Sequence, residues 1–140
     1  PILIHLTGKG LKDDQVKKSG YIQYEFVKED LTDLLAITDT VISRAGSNAI
    51  YEFLTLRIPM LLVPLGLDQS RGDQIDNANH FADKGYAKAI DEEQLTAQIL
   101  LQELNEMEQE RTRIINNMKS YEQSYTKEAL FDKMIKDALN

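Results

Sequence analysis

Gly46, Ser47 and Glu52 are spaced so that together they could hold a phosphate and a sugar. They lie in SRAGSNAIYEF, residues 43–53, directly after the apolar run Thr40, Val41, Ile42. If that run ends a parallel strand, residues 43–46 form the turn at its carboxyl end and a helix begins at Ser47. The first amide hydrogens of a helix have no helical partner. With the helix dipole behind them, they can bind a phosphate. Gly46 would let a ligand come close to the backbone. Glu52, about one turn into the helix, would repel phosphate but could accept hydrogen bonds from a ribose diol, a task that dinucleotide folds also give to an acidic residue. A plainer reading stands beside this one: Gly46 shapes a tight turn, Ser47 caps the helix and Glu52 is a solvated face residue.

A second polar cluster, LDQSRGDQIDNANHF, follows the apolar run IPMLLVPL. Asp73, Gln74 and Asn77 open a helix there, and Gln74 and Asn77 can face the same way. Side-chain amides donate and accept, which suits sugar hydroxyls; the alternative is an ordinary helix with polar first-turn residues. The phosphate-loop pattern GxxxxGK[ST], the dinucleotide pattern GxGxxG and the hydrolase pattern GxSxG do not occur. His5 and His80 stand apart, without the spacing of a metal site. His5 reads as a structural residue at a strand end.

The elements that would position these groups alternate along the chain. ILIHL reads as a short buried strand and YIQYEFV as a second. A helix over EDLTDLLAITD is expected, with Asp30 as cap and Asp33 three residues on. TVIS reads as a strand, and a helix from Ser47 to Leu56 would bury Ile50, Phe53 and Leu54. IPMLLVPL reads as a central strand covered on both faces. A helix from Asp73 to Lys84 closes at Gly85, and YAKAI is a further strand. Asp91 and Gln94 have capping-box spacing for a helix over EEQLTAQILLQEL. Leu104, Met107, Ile114, Met118 and Tyr121 continue a helical pattern, and Leu130, Met134, Ile135 and Ala138 mark a last amphipathic helix. This order gives an α/β fold, a parallel sheet with helices on both faces, with ligands beyond the carboxyl ends of the strands.

The 140 residues suit one domain, and 42% hydrophobic residues suffice for a core. The absence of cysteine excludes disulfides, thiolate metal sites and cysteine nucleophiles. A net charge of -7 argues against nucleic acid as a partner. The chain opens on PILIHL, already strand-like, which points to a piece of a longer protein.

The motifs HLTGKG, YEFVKEDLTDLLAITDTVISRAGSNAIYEF, RIPMLLVPL and DQIDNANHFADKGYA together resemble the carboxyl-terminal half of the bacterial lipid II synthases, the MurG family. These are undecaprenyl-pyrophosphoryl-muramoylpentapeptide N-acetylglucosaminyltransferases. The resemblance covers nearly the whole chain. It implies a Rossmann-like half of a two-domain GT-B glycosyltransferase, with residues 1–140 as the UDP-sugar-binding domain, lacking its first strand, a GGS phosphate loop and the amino-terminal acceptor domain. It implies inverting transfer of N-acetylglucosamine from UDP-N-acetylglucosamine to lipid I, forming lipid II in peptidoglycan synthesis at the cytoplasmic face of the cell membrane. No cofactor or metal is implied. Lipid I and the membrane surface would be met through the missing domain, so the isolated chain is expected to be inactive.

By the same resemblance, Phe26 closes over the uracil and the backbone of Val27 reads its edge. Arg44 and Gly46 belong to the turn before the nucleotide helix. Ser47, Asn48, Ala49, Ile50 and Tyr51 lie beside the diphosphate and ribose, Glu52 holds the ribose hydroxyls, and Gln74 with Asn77 meets the sugar. Arg57 stands where many relatives have glycine, so a left-handed backbone is expected to carry strain of roughly 1 kcal/mol there. The GLDQSRG loop is longer than in some relatives, which loosens the placement of Asp68, Gln69 and Asp73. No carboxylate offers a convincing catalytic base. A transferase with another lipid acceptor such as diacylglycerol, a nucleotide-sugar epimerase and a non-catalytic flavodoxin-like module remain as rivals.

Overall fold

The computed structural model describes residues 2–67 and 72–121. The expected helix at Leu130, Met134, Ile135 and Ala138, and the loop residues Asp68 and Gln69, lie outside them. The chain divides into two compact units, residues 1–37 and 38–140.

In the first unit, β1 (Leu3–Leu6) and β2 (Tyr21–Tyr24) pair in parallel, with Leu3 opposite Tyr21 and Leu6 opposite Tyr24. The His5 ring nitrogen Nδ1 lies 2.7 Å from the Tyr21 hydroxyl, a strand-to-strand tie in keeping with a structural role. β1 is not the buried strand its sequence suggests, because Leu3 and Leu6 are exposed. Among the described residues β2 is its only ladder partner, and a two-stranded ribbon shields little of either face. α1 (Leu31–Ala36) follows and buries Leu35. Asp30 stands at its start as expected but makes no capping bond. Its backbone is already helical (φ -84°, ψ 0°), whereas a capping side chain needs an extended backbone to reach the free amides.

The second unit is built on a three-stranded parallel sheet, β3 (Val41–Ser43), β4 (Met60–Leu62) and β5 (Ala87–Ala89), in the order β3-β4-β5. β4 is central, and Met60, Leu61 and Leu62 are wholly buried, as a continuous apolar run requires. α2 (Ser47–Thr55) connects β3 to β4 and buries Ile50, Phe53 and Leu54, the three residues its periodicity picks out. α3 (Asp73–Asp83) connects β4 to β5 and buries Ala78 and Phe81.

Both connecting helices end alike. In α2 the amides of Arg57 and Ile58 donate back to Leu54 and Phe53; in α3 those of Gly85 and Tyr86 donate back to Ala82 and Phe81. This is the Schellman closure, which needs a left-handed residue. Gly85 supplies it at φ 80° and Arg57 at φ 56°, so the strain expected at Arg57 has its backbone cause.

After β5 the sequence reading needs correction. Asp91 precedes only a single 3-10 turn, Glu92–Gln94, and makes no side-chain cap. Leu95 is extended and breaks the run. α4 (Ala97–Gln109) starts afresh from Thr96, whose hydroxyl oxygen accepts the Ile99 amide at 3.1 Å. Residues 111–121 form a further helix, α5. Met107 of α4 and Ile114 and Met118 of α5 are buried. α4 is tied to β5 by Lys88, whose ammonium contacts Glu106 at 2.5 Å and Glu103 at 3.2 Å. Burial works against the charge of Lys88, but these two carboxylates outweigh it and raise its pKa.

Candidate functional site

The carboxyl ends of β3, β4 and β5 lie side by side, because the three strands are parallel and in register. The turn 43–46 leaves β3 there and becomes α2. Gly46 is the residue at the helix start, in an extended conformation (φ -72°, ψ 135°). It forms no side-chain cap, and the first turn holds no acidic residue. The first amide to find a helical partner is that of Ile50, which donates to the Gly46 carbonyl at 3.1 Å. The amides of Ser47, Asn48 and Ala49 precede it and, by helix geometry, point out of the helix start. Ser47 is the first helical residue and not a cap, so the plainer sequence reading of this serine does not hold.

Gly46 is not there for a left-handed backbone. Among the described residues, a Cβ added to it would meet nothing within 4 Å, so the side of the helix start that such a side chain would face is open. Asn48 and Glu52 are both exposed and share a face one turn apart, about 6 Å along the axis. A group bound at the amides and a group bound at Glu52 can therefore belong to one ligand. Tyr51 lies beside them, its ring edge-on to Phe81 at 5.7 Å. Ile50 is different: its side chain is wholly buried, so any part it plays in binding falls to its backbone.

Gln74 and Asn77 come together against the same turn. The Gln74 carbonyl oxygen accepts the Ala45 amide at 3.3 Å and the Leu65 amide at 3.0 Å. The Asn77 amide donates to the Ala45 carbonyl at 3.1 Å. The two side chains thus fasten the start of α3 to the turns after β3 and β4. With the Gln74 oxygen already in use, any bond from Gln74 to a sugar is made by its amide nitrogen.

Arg44 is also engaged. It donates to the Val63 carbonyl at 3.2 Å and to the Glu92 carboxylate at 2.7 Å. The Arg44 guanidinium holds the Glu92 carboxyl below its ordinary range. The stability this pair contributes is present above the ordinary carboxylate pKa and fades as pH falls through the depressed one.

Phe26 and Val27 lie in the first unit. Phe26 is 57% exposed, with the Lys28 ammonium 5.5 Å from its ring centre. Among the described residues, no group of three or more histidine, aspartate or glutamate side chains could hold a metal ion.

Sequence reasoning placed Gln74, Asn77 and the α2 start correctly on their elements. It missed Val63, Leu65 and Glu92. The available signal was topological: residues that follow parallel strands must meet at one edge.

A parallel sheet flanked by helices, with an open helix start at its carboxyl edge, defines a Rossmann-like α/β fold. Residues 2–135 match the glycosyltransferase family 28 C-terminal domain, and the chain belongs to that family. Among curated relatives, it is 99% identical over 138 residues to the UDP-N-acetylglucosamine--N-acetylmuramyl-(pentapeptide) pyrophosphoryl-undecaprenol N-acetylglucosamine transferase of Staphylococcus aureus strain Newman. It is 98% identical to the transferase of the same description from strain bovine RF122 / ET3-1. Each match takes in 99% of this chain and 39% of the relative, so the chain spans well under half of those proteins. The crystal structure of the glycotransferase of kitacinnamycin superposes with a TM-score of 0.75 at 19% identity, over 87% of this chain and 30% of that one. At that identity it bears on the fold alone.

Proposed function

We propose that this chain forms the donor-binding part of an inverting N-acetylglucosaminyltransferase. The whole enzyme would carry the sugar from UDP-N-acetylglucosamine to lipid I, giving lipid II for peptidoglycan. The observation that carries the reading is the open start of α2, with Glu52 one turn further on, in a chain that matches the family almost end to end. The near identity to transferases described in those terms supports the choice of donor and acceptor.

In this reading the amides of Ser47, Asn48 and Ala49 face the diphosphate. They stabilise the charge that grows on it as the bond to the sugar breaks, a preorganised electrostatic contribution. Glu52 accepts from the ribose hydroxyls. Gln74 offers its amide nitrogen to the sugar from a position that the turns after β3 and β4 hold still. Phe26 and Val27 take the uracil. Attack by the acceptor hydroxyl needs a base, which the remainder of the enzyme supplies, together with the lipid I site. No helix among the described residues is long and apolar enough to cross a membrane. Peripheral contact with the cytoplasmic face, through that same remainder, fits the lipid acceptor.

The test places this chain in the frame of the full-length Staphylococcus aureus transferase. Calorimetry with UDP and UDP-N-acetylglucosamine measures donor binding, and product analysis with lipid I or diacylglycerol identifies the acceptor. Donor binding with lipid II as product is expected. Binding of neither uridine compound would leave a non-catalytic module, and a diacylglycerol product would move the enzyme to another acceptor class.

A further inference from the structure

Arg44 follows β3 directly and stands three residues before Ser47, the first residue of α2, where a cation could be taken for a phosphate ligand. Its guanidinium is committed elsewhere. One nitrogen donates to the Val63 carbonyl and another to Glu92. Val63 directly follows β4, and Glu92 opens the 3-10 turn beyond β5. One side chain therefore joins the segments leaving all three strands of the sheet: β3 through its own backbone, β4 through Val63 and β5 through Glu92.

We infer that Arg44 is a positioning residue for the donor site: held by Glu92, it fixes the turn from which the free amides of α2 project, and it is not itself a ligand of the diphosphate. The inference rests on the donor-binding reading above. A planar guanidinium suits this task because its donors form a rigid fork that reaches two acceptors in a fixed relation. The Arg44 and Glu92 side chains are 46% and 50% exposed, so the pair adds little to global stability. Its influence is on the geometry of one turn. The turn is fastened from the other side by Gln74 and Asn77, both bonded to Ala45. Arg44 and these two amides hold neighbouring residues of the same short segment.

The experiment is steady-state kinetics in the full-length frame, varying UDP-N-acetylglucosamine at saturating lipid I and then the reverse. Glu92→Ala is expected to raise the donor KM about five- to tenfold, the loss of a charge-assisted bond spread over a positioning effect. The acceptor KM and the thermal midpoint stay where they were. Glu92→Gln keeps an acceptor oxygen and recovers most of the donor KM. Arg44→Lys does not recover the effect of losing Arg44, because an ammonium cannot reproduce the fork. The double variant Arg44→Ala, Glu92→Ala is no worse than Arg44→Ala alone, as expected of two residues that act as one unit. A donor KM that responds to Arg44→Ala and not to Glu92→Ala would overturn the inference and make Arg44 a direct ligand. Additive losses, or a thermal midpoint that falls in step with KM, would overturn it as well. Failure of the donor-binding reading is seen separately, as absence of uridine-nucleotide binding by the protein without any substitution.

Discussion

Two helices of the same unit begin in opposite ways. α4 starts at Thr96, whose side chain satisfies the Ile99 amide from within the chain. α2 starts at Gly46, which has no side chain to turn inwards and makes no side-chain cap. The amino ends of both helices carry the same partial positive charge and the same set of unpaired donors. One is closed and the other is left open, at the carboxyl edge of the sheet, with clear space where a Cβ would stand. A cap is worth about 1 kcal/mol. Its absence at α2 and presence at α4 separates a helix start that serves the fold from one suited to a ligand.

The sharpest way to break this comparison is to close the open end. Gly46→Asp introduces a capping carboxylate at a position whose extended backbone accepts any residue and whose surroundings leave room for it. The helix should gain a few tenths of a kcal/mol, since glycine is already a tolerable cap. Affinity for uridine diphosphate should fall about a hundredfold, roughly 2.7 kcal/mol, because the new charge both repels the diphosphate and occupies its donors. Calorimetry and denaturant unfolding on the same variant read the two signs. Unchanged nucleotide affinity would show that α2 does not hold the phosphates.

A smaller loss is expected one turn along. Glu52→Ala should weaken uridine-nucleotide binding by roughly 1.5–3 kcal/mol, the range for hydrogen bonds to a charged group. The 2'-deoxy nucleotide should lose less, because it lacks one of the two hydroxyls. If both nucleotides lost equally, the contact at that hydroxyl would be wrong.

The contrast between the two helix starts was only half legible in the sequence. The start of α2 could be read because an apolar strand, a glycine and an apolar periodicity with Ile50, Phe53 and Leu54 follow one another without a break. The start of α4 was misread because Asp91 and Gln94 have the right spacing for a capping box, whereas the helix waits for Thr96. Spacing says which groups are near; the extended backbone at Leu95 decides whether they meet. Asp30 fails as a cap for a related reason. Buried β4 was plain from its unbroken apolar run, while the exposure of β1 was hidden, because strand composition does not say how many neighbours a strand will find. Within the site, Glu52, Gln74 and Asn77 could be proposed from residue type. The partners of Arg44 could not: Glu92 lies 48 residues away, and only the order of strands brings the two together.

The closed helix start gives the control. Thr96→Ala removes the bond to the Ile99 amide and should cost about 1 kcal/mol of stability. Donor affinity should stay within about twofold, since the Thr96 hydroxyl bonds to its own helix and not to the turn 43–46. Urea unfolding and calorimetry read the pair. A clear loss of nucleotide binding here would remove the distinction between a structural and a functional helix start.

The smallest effect lies at the other end of α2, where the comparison is with α3. Both helices close through the same pair of backbone bonds, but α3 uses Gly85 for the left-handed residue and α2 uses Arg57. A Cβ in that conformation costs roughly 1–2 kcal/mol, while glycine gives back about 0.5–1 kcal/mol through the freedom of its unfolded chain. Arg57→Gly should therefore stabilise the fold by only about 0.5 kcal/mol, less whatever its side chain contributes through a contact of its own. Arg57→Ala separates the two contributions, since it removes the side chain and keeps the Cβ. The glycine variant should be the more stable of the pair in urea, and both should bind the donor as the parent does. An alanine variant as stable as the glycine one would mean that the strain at Arg57 is no larger than the chain freedom glycine costs, about 0.5–1 kcal/mol, and an alanine variant more stable by that amount would mean that the left-handed backbone there carries no strain.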